Sequence, residues 1–77
     1  MLHHLLFRAD CRLDLQADGR QRLERVRVRA GEVIEAKVRP YIQETEDGFV
    51  ELADLLLGDE AVLLGVPMAC FQFVDQE

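Results

Sequence analysis

Leu5-Leu6-Phe7-Arg8-Ala9-Asp10-Cys11-Arg12-Leu13-Asp14-Leu15 decides the fold class. Leu5, Phe7, Ala9, Cys11, Leu13 and Leu15 alternate with Leu6, Arg8, Asp10, Arg12 and Asp14. Successive side chains of a strand point to opposite faces, whereas a helix brings them back to one face about every 3.6 residues. A period of two held over this whole stretch predicts a strand with one buried face, and only Leu6 is an apolar residue on the polar side.

Working outward, Ala17-Asp18-Gly19-Arg20 contains Asp-Gly, a strong hairpin-turn signal. Residues 21–30 read as the next strand. Val26, Val28 and Ala30 share one face; Arg25, Arg27 and Arg29 share the other. Leu23 falls on the arginine side, and a β-bulge near Glu24-Arg25 would return it inward, because one extra residue flips the phase. After Gly31-Glu32, residues 34–42 alternate again. Ile34, Ala36, Val38 and Ile42 point one way, and Glu35, Lys37, Arg39 and Tyr41 the other. Pro40 has no N–H to give to a ladder, so the strand is expected to end there or to lie at an edge.

Residues 49–57 fit two patterns. As a strand, Val50, Leu52 and Leu56 oppose Phe49, Ala53, Leu55 and Leu57. As a helix, Phe49, Leu52, Ala53 and Leu56 form a stripe, with Asp47 as N-cap and Gly58 just past the end. The Asp-Gly before this stretch and the Gly-Asp after it favour the strand. Residues 61–66 and 68–74, divided by Pro67, complete the set. The expected fold is all-β: a single small domain over residues 1–77, built as an antiparallel barrel or sandwich of five to six short strands. The alternative is an α+β domain with one short helix at about 48–57. The expected core draws on Leu5, Phe7, Cys11, Leu13, Val26, Val28, Ile34, Val38, Leu52, Leu63, Phe71 and Phe73.

A chain of 77 residues buries only about 60% of its unfolded surface, so its stability margin is thin. Its 49% apolar and 31% charged residues place it with folded rather than disordered chains. The longest apolar stretch, residues 61–69, is broken by Gly65 and Pro67 and falls far short of the roughly 20 residues of a membrane span. The first residues lack the basic region and small-residue cleavage site of a signal peptide. Two cysteines, Cys11 and Cys70, are too few for a secreted disulfide scaffold. Both are expected to be reduced, and the chain cytoplasmic.

The net charge of −6 is unevenly spread. Residues 20–39 hold seven of the nine basic residues, and none follows Arg39, whereas residues 40–77 carry nine acidic ones. If residues 21–30 and 34–42 formed a hairpin, like charges would stand opposite each other, which is unfavourable and calls for an anionic neighbour. Three anions would serve: carboxylates such as Glu51 or Asp54 on a neighbouring strand, the acidic face of a second copy, or nucleic-acid phosphates. The candidate anion- or partner-binding residues are therefore Arg25, Arg27, Arg29, Lys37, Arg39 and Tyr41. An acidic domain with a pI near 4.8 and a single aromatic on that face argues against nucleic acid as the first choice.

The sequence offers little chemistry for catalysis. It contains no serine, and its single threonine, Thr45, sits in an acidic turn, so serine-based nucleophilic catalysis is excluded. His3 and His4 are adjacent on a strand and point apart, and no Cys-x-x-Cys or His-x-His spacing supports a metal site. The acidic turns lack the spacing of a calcium loop. The expected role is a non-enzymatic protein–protein interaction module without cofactor or metal. It would self-associate through a basic surface (20–39) and an acidic one (40–77). The alternatives are a small barrel binding single-stranded nucleic acid through the arginine face, and an accessory subunit of a larger enzyme.

Overall fold

Seven strands form among the described residues: β1 (His3–Phe7), β2 (Cys11–Gln16), β3 (Leu23–Val28), β4 (Val33–Thr45), β5 (Gly48–Leu56), β6 (Val62–Pro67) and β7 (Phe71–Phe73). A 3-10 turn at Met68–Cys70 precedes β7. The computed structural model describes residues 1–17, 23–58 and 60–74, so the expected Asp18-Gly19 turn lies outside it. Every strand pair is antiparallel, and together they make one curled, half-barrel sheet in the order β3-β2-β6-β5-β4-β1-β7. The fold is thus all-β, with seven strands rather than five or six. Residues 49–57 contribute strand β5 and no helix: β4 on one side and β6 on the other pair with its backbone.

The alternation at 5–15 belongs to two strands, not one. The chain turns a corner at Arg8–Asp10, and β1 and β2 end up with β6, β5 and β4 between them. The period of two survives the corner because both halves face the same interior: Leu5, Phe7, Cys11 and Leu13 are all buried. Backbone hydrogen bonds fix the corner. Phe7 N–H donates to Glu32 O (2.9 Å), Gly31 N–H to Phe7 O (2.8 Å) and Arg8 N–H to Cys70 O (2.8 Å). The three connections that are not hairpins, β1–β2, β3–β4 and β6–β7, therefore meet one another.

The expected hairpin between 21–30 and 34–42 does not form. Among the described residues β3 pairs only with β2, at the sheet edge, and β4 lies between β1 and β5. The expected bulge at Glu24-Arg25 is absent too. The β2–β3 register runs unbroken from Cys11↔Val28 to Gln16↔Leu23, and Leu23 stays on the outer face, 48% exposed. An edge position explains why this apolar residue needs no inward place. Beyond Ala36, β4 has only β5 as a neighbour, so Pro40 sits within the strand without breaking a second ladder.

The bulge that does exist is in β6. Leu63 pairs with Leu55 and Val66 with Ala53, so β6 uses one residue more than β5 between the two pairs. That extra residue lets Leu63 and Val66, three positions apart, both face inward at 2% and 0% exposure. Gly65 carries the bulge at φ +62°, in the left-handed region that disfavours a Cβ.

Leu15, Leu63, Leu55 and Val38 stand in one row across β2, β6, β5 and β4 and form the middle of the core. Ala36 and Ala53, both fully buried, let the strongly curled sheet close over the larger Leu5, Phe7 and Phe71. Two expected core residues differ. Leu52 lies on the outer face, half-buried, and Phe73 is 47% exposed because β7 is the other sheet edge.

Candidate interaction surface

Alternation along β3 puts Arg25 and Arg27 on the outer face, and the β2–β3 register sets Arg25 opposite Asp14 and Arg27 opposite Arg12. Arg25 Nη1 donates to Asp14 Oδ1 at 3.1 Å, and Arg27 Nη2 to Asp10 Oδ2 at 2.8 Å. Asp10 also accepts the Ala30 N–H at 2.8 Å through its other oxygen. That backbone bond, then Arg27, with a smaller contribution from Arg29, holds the Asp10 carboxyl below its usual range. The arginines thus find their internal counter-charge on β2 and its approach, not at Glu51 or Asp54. These pairs are solvent-exposed and screened by water, so neither contributes much to stability. Arg12 and Arg29 have no ion pair among the described residues.

Lys37, Arg39 and Tyr41 lie on the outer face of β4, with β5, β6 and β2 between them and β3. The six candidate residues therefore form two groups, Arg25, Arg27 and Arg29 in one and Lys37, Arg39 and Tyr41 in the other. A half-buried apolar strip of Leu56, Val62 and Leu64 separates them. Tyr41 is held by the fold. Its hydroxyl lies 3.7 Å from where a Cβ on Gly65 would stand, while Asp54 Oδ1 accepts the Gly65 N–H at 3.1 Å. Partial desolvation, then the Asp54 charge, push the Tyr41 phenol upward from its ordinary value.

The third feature is an arm. Ile42–Thr45 of β4 pairs only with Gly48–Glu51 of β5, because the β5–β6 ladder begins at Leu52. The two-residue turn Glu46-Asp47 closes it, with Gly48 at φ +126° and Thr45 Oγ1 donating to Gly48 O (3.1 Å). Phe49 is 72% exposed and Ile42 67%, and both occupy the side that continues the barrel interior. Around them stand Glu44, Glu46, Asp47 and Glu51, without a basic residue between Tyr41 and Glu51. An open groove lined by Phe49, Val50, Glu51, Pro67, Met68 and Ala69 runs along the arm's base.

The sequence groups Phe49 with Ala53 and Leu55, and Ile42 with Ala36 and Val38, as the strands lie, but the expected core took Leu52 from the opposite face of β5 and gave no sign that Phe49 and Ile42 are exposed. The available signal was length. β4, at 13 residues, is longer than any other described strand, so its far end runs past β1 and pairs with β5 alone among the described residues.

His3 and His4 do diverge: the His3 ring meets Phe73 edge-on at 5.1 Å, and His4 Nε2 is 3.4 Å from Glu35 Oε2. Among the described residues no group of three or more His, Cys, Asp or Glu side chains is placed to hold a metal ion. No helix among them is long and apolar enough to cross a membrane. No protein-family model matches the chain, and no curated protein or solved structure is significantly similar to it.

Proposed function

We propose that this chain is a non-enzymatic interaction module that self-associates, the acidic arm of one copy lying along the basic outer edge of β3 in another. The observation that carries this reading is the arm: two strands with unpaired outer edges, exposed Phe49 and Ile42, and four carboxylates. β3 is its complement. It is a sheet edge with β2 as its only strand partner among the described residues, it displays Arg25 and Arg27, and Leu23 is 48% exposed beside them. Strand addition joins two such edges through main-chain hydrogen bonds, and charge sets which edges meet. Reciprocal exchange of arms closes a two-fold dimer; one-way exchange extends into a longer assembly.

The division of the basic residues between β3 and β4, with Asp10 and Asp14 among the arginines, favours a protein partner over nucleic acid. A phosphate backbone needs a continuous basic track. The test is a charge exchange. Glu44→Lys with Glu46→Lys on the arm should weaken association, and so should Arg25→Glu with Arg27→Glu on the edge. Mixing the two variants should restore it as a hetero-assembly. Association that ignores both variants refutes the proposed pairing.

A further inference from the structure

The arm and the β3 edge carry matching series. Ile42 and Glu44 lie on one face of β4, and Glu46 follows as the first residue of the turn. Leu23, Arg25 and Arg27 lie on the outer face of β3. Each series reads apolar, charged, charged at steps of two, and the charges are opposite. Of the arm's two edges, that of β4 is the open one. The β1 ladder ends at His3↔Ala36, so among the described residues the free side of β4 has no strand partner over 37–45. The β5 edge at 49–51 instead borders the groove lined by Pro67, Met68 and Ala69.

We infer that the arm adds to β3 of a second copy through its β4 edge and parallel to β3, with Ile42 against Leu23, Glu44 against Arg25 and Glu46 against Arg27. This rests on the exchange of arms proposed above and specifies how the two edges meet. Residues opposite each other in neighbouring strands share a face, so the three contacts fall on one side of the joined sheet. One is apolar and two are ion pairs. Ile42 is 67% and Leu23 48% exposed, so their contact removes apolar surface from water. Arg25 Nη1 already donates to Asp14 and Arg27 Nη2 to Asp10. A guanidinium carries further N–H donors, so each arginine can also serve a carboxylate of the second copy.

The nearby registers match less well. Moving the parallel pairing by one residue sets Glu44 against Glu24 or Val26. Setting Glu44 against Arg27 keeps two Glu–Arg pairs in either direction. In the parallel case Ile42 then meets Arg25 and Glu46 meets Arg29; in the antiparallel case Ile42 meets Arg29 and Glu46 meets Arg25. Both leave Ile42 facing an arginine, and both reach Arg29, past the end of β3 at Val28. An antiparallel pairing of Glu44 with Arg25 leaves Glu46 against Leu23. Charge narrows the choice, and the contact of Ile42 with Leu23 decides it.

The test combines single charge reversals in mixtures of two full-chain variants, with association read by sedimentation equilibrium. Glu44→Lys in one copy should be rescued by Arg25→Glu in the other and not by Arg27→Glu. Glu46→Lys should be rescued by Arg27→Glu and not by Arg25→Glu. Each matched mixture should associate roughly 2- to 5-fold more tightly than the mismatched one. A second readout does not depend on the charge variants folding. Mild oxidation of an Ile42→Cys chain mixed with a Leu23→Cys chain, followed by non-reducing peptide mapping, should link the two substituted positions. Rescue of Glu44→Lys by Arg27→Glu, equal rescue by both arginine variants, or a link from Ile42→Cys to Arg29→Cys in preference to Leu23→Cys overturns the register while the arm exchange stands. Association that no reversal moves overturns both.

Discussion

Phe49→Ser on the arm separates assembly from folding. Phe49 leaves 72% of its surface exposed, so the monomer gains little from it. Exposed substitutions of this kind shift stability by only about 0.5 kcal/mol either way. If the arm docks, that surface becomes available for burial. Full burial of a phenylalanine side chain stabilises by about 1.5–3 kcal/mol, and roughly seven-tenths of it amounts to about 1–2 kcal/mol. Since about 1.4 kcal/mol is tenfold in affinity, the variant should associate about 5- to 30-fold more weakly. Sedimentation equilibrium over a concentration series measures the constant, and thermal unfolding at a dilution where both proteins are monomeric checks the fold. Unchanged association with unchanged stability would refute the role given to the arm. Lost stability would show that Phe49 is a core residue and that the exposure argument is wrong.

Three further outcomes follow from the geometry. Gly65→Ala should destabilise by about 1–2 kcal/mol from left-handed backbone alone, because the new Cβ meets the Tyr41 hydroxyl only at an ordinary 3.7 Å, and Gly65→Asn should cost less; urea unfolding ranks the three proteins. Leu55→Ala removes the centre of the apolar row, where Leu55 is fully buried, and should cost about 2–5 kcal/mol, a large share of a small domain's stability. Acid titration followed by circular dichroism addresses Asp10. Its folded carboxyl titrates below the ordinary 3.8, so its contribution is present above that value and is lost as pH falls through the lower, folded one. Asp10→Asn should therefore flatten the acid limb of the stability profile.

Local rules read the strands well and their neighbours poorly. The alternation at 5–15 identified an inward face that β1 and β2 both keep, yet it could not show the corner at Arg8–Asp10. That corner is held by Glu32, Gly31 and Cys70, residues remote in sequence. Pairing 21–30 with 34–42 assumed that consecutive strands are adjacent, whereas the β3–β4 connection crosses to the far part of the sheet. Leu63 and Val66 break strict alternation because of the bulge at Gly65, for which an isolated glycine inside a strand pattern was the available signal. For the candidate surface, the six residues were legible as a list because charge alternation needs no tertiary information. Their partition was not, since it depends on three intervening strands, and neither was the exposure of Phe49, which depends on where the β6 ladder begins.

Sedimentation velocity of the unmodified chain, over rising concentration at low and high salt, tests the central claim most directly. The account predicts species heavier than the 8.8 kDa monomer at low salt, shifting toward the monomer as salt screens the arm from the β3 edge. A single 8.8 kDa species at every concentration and ionic strength would contradict it.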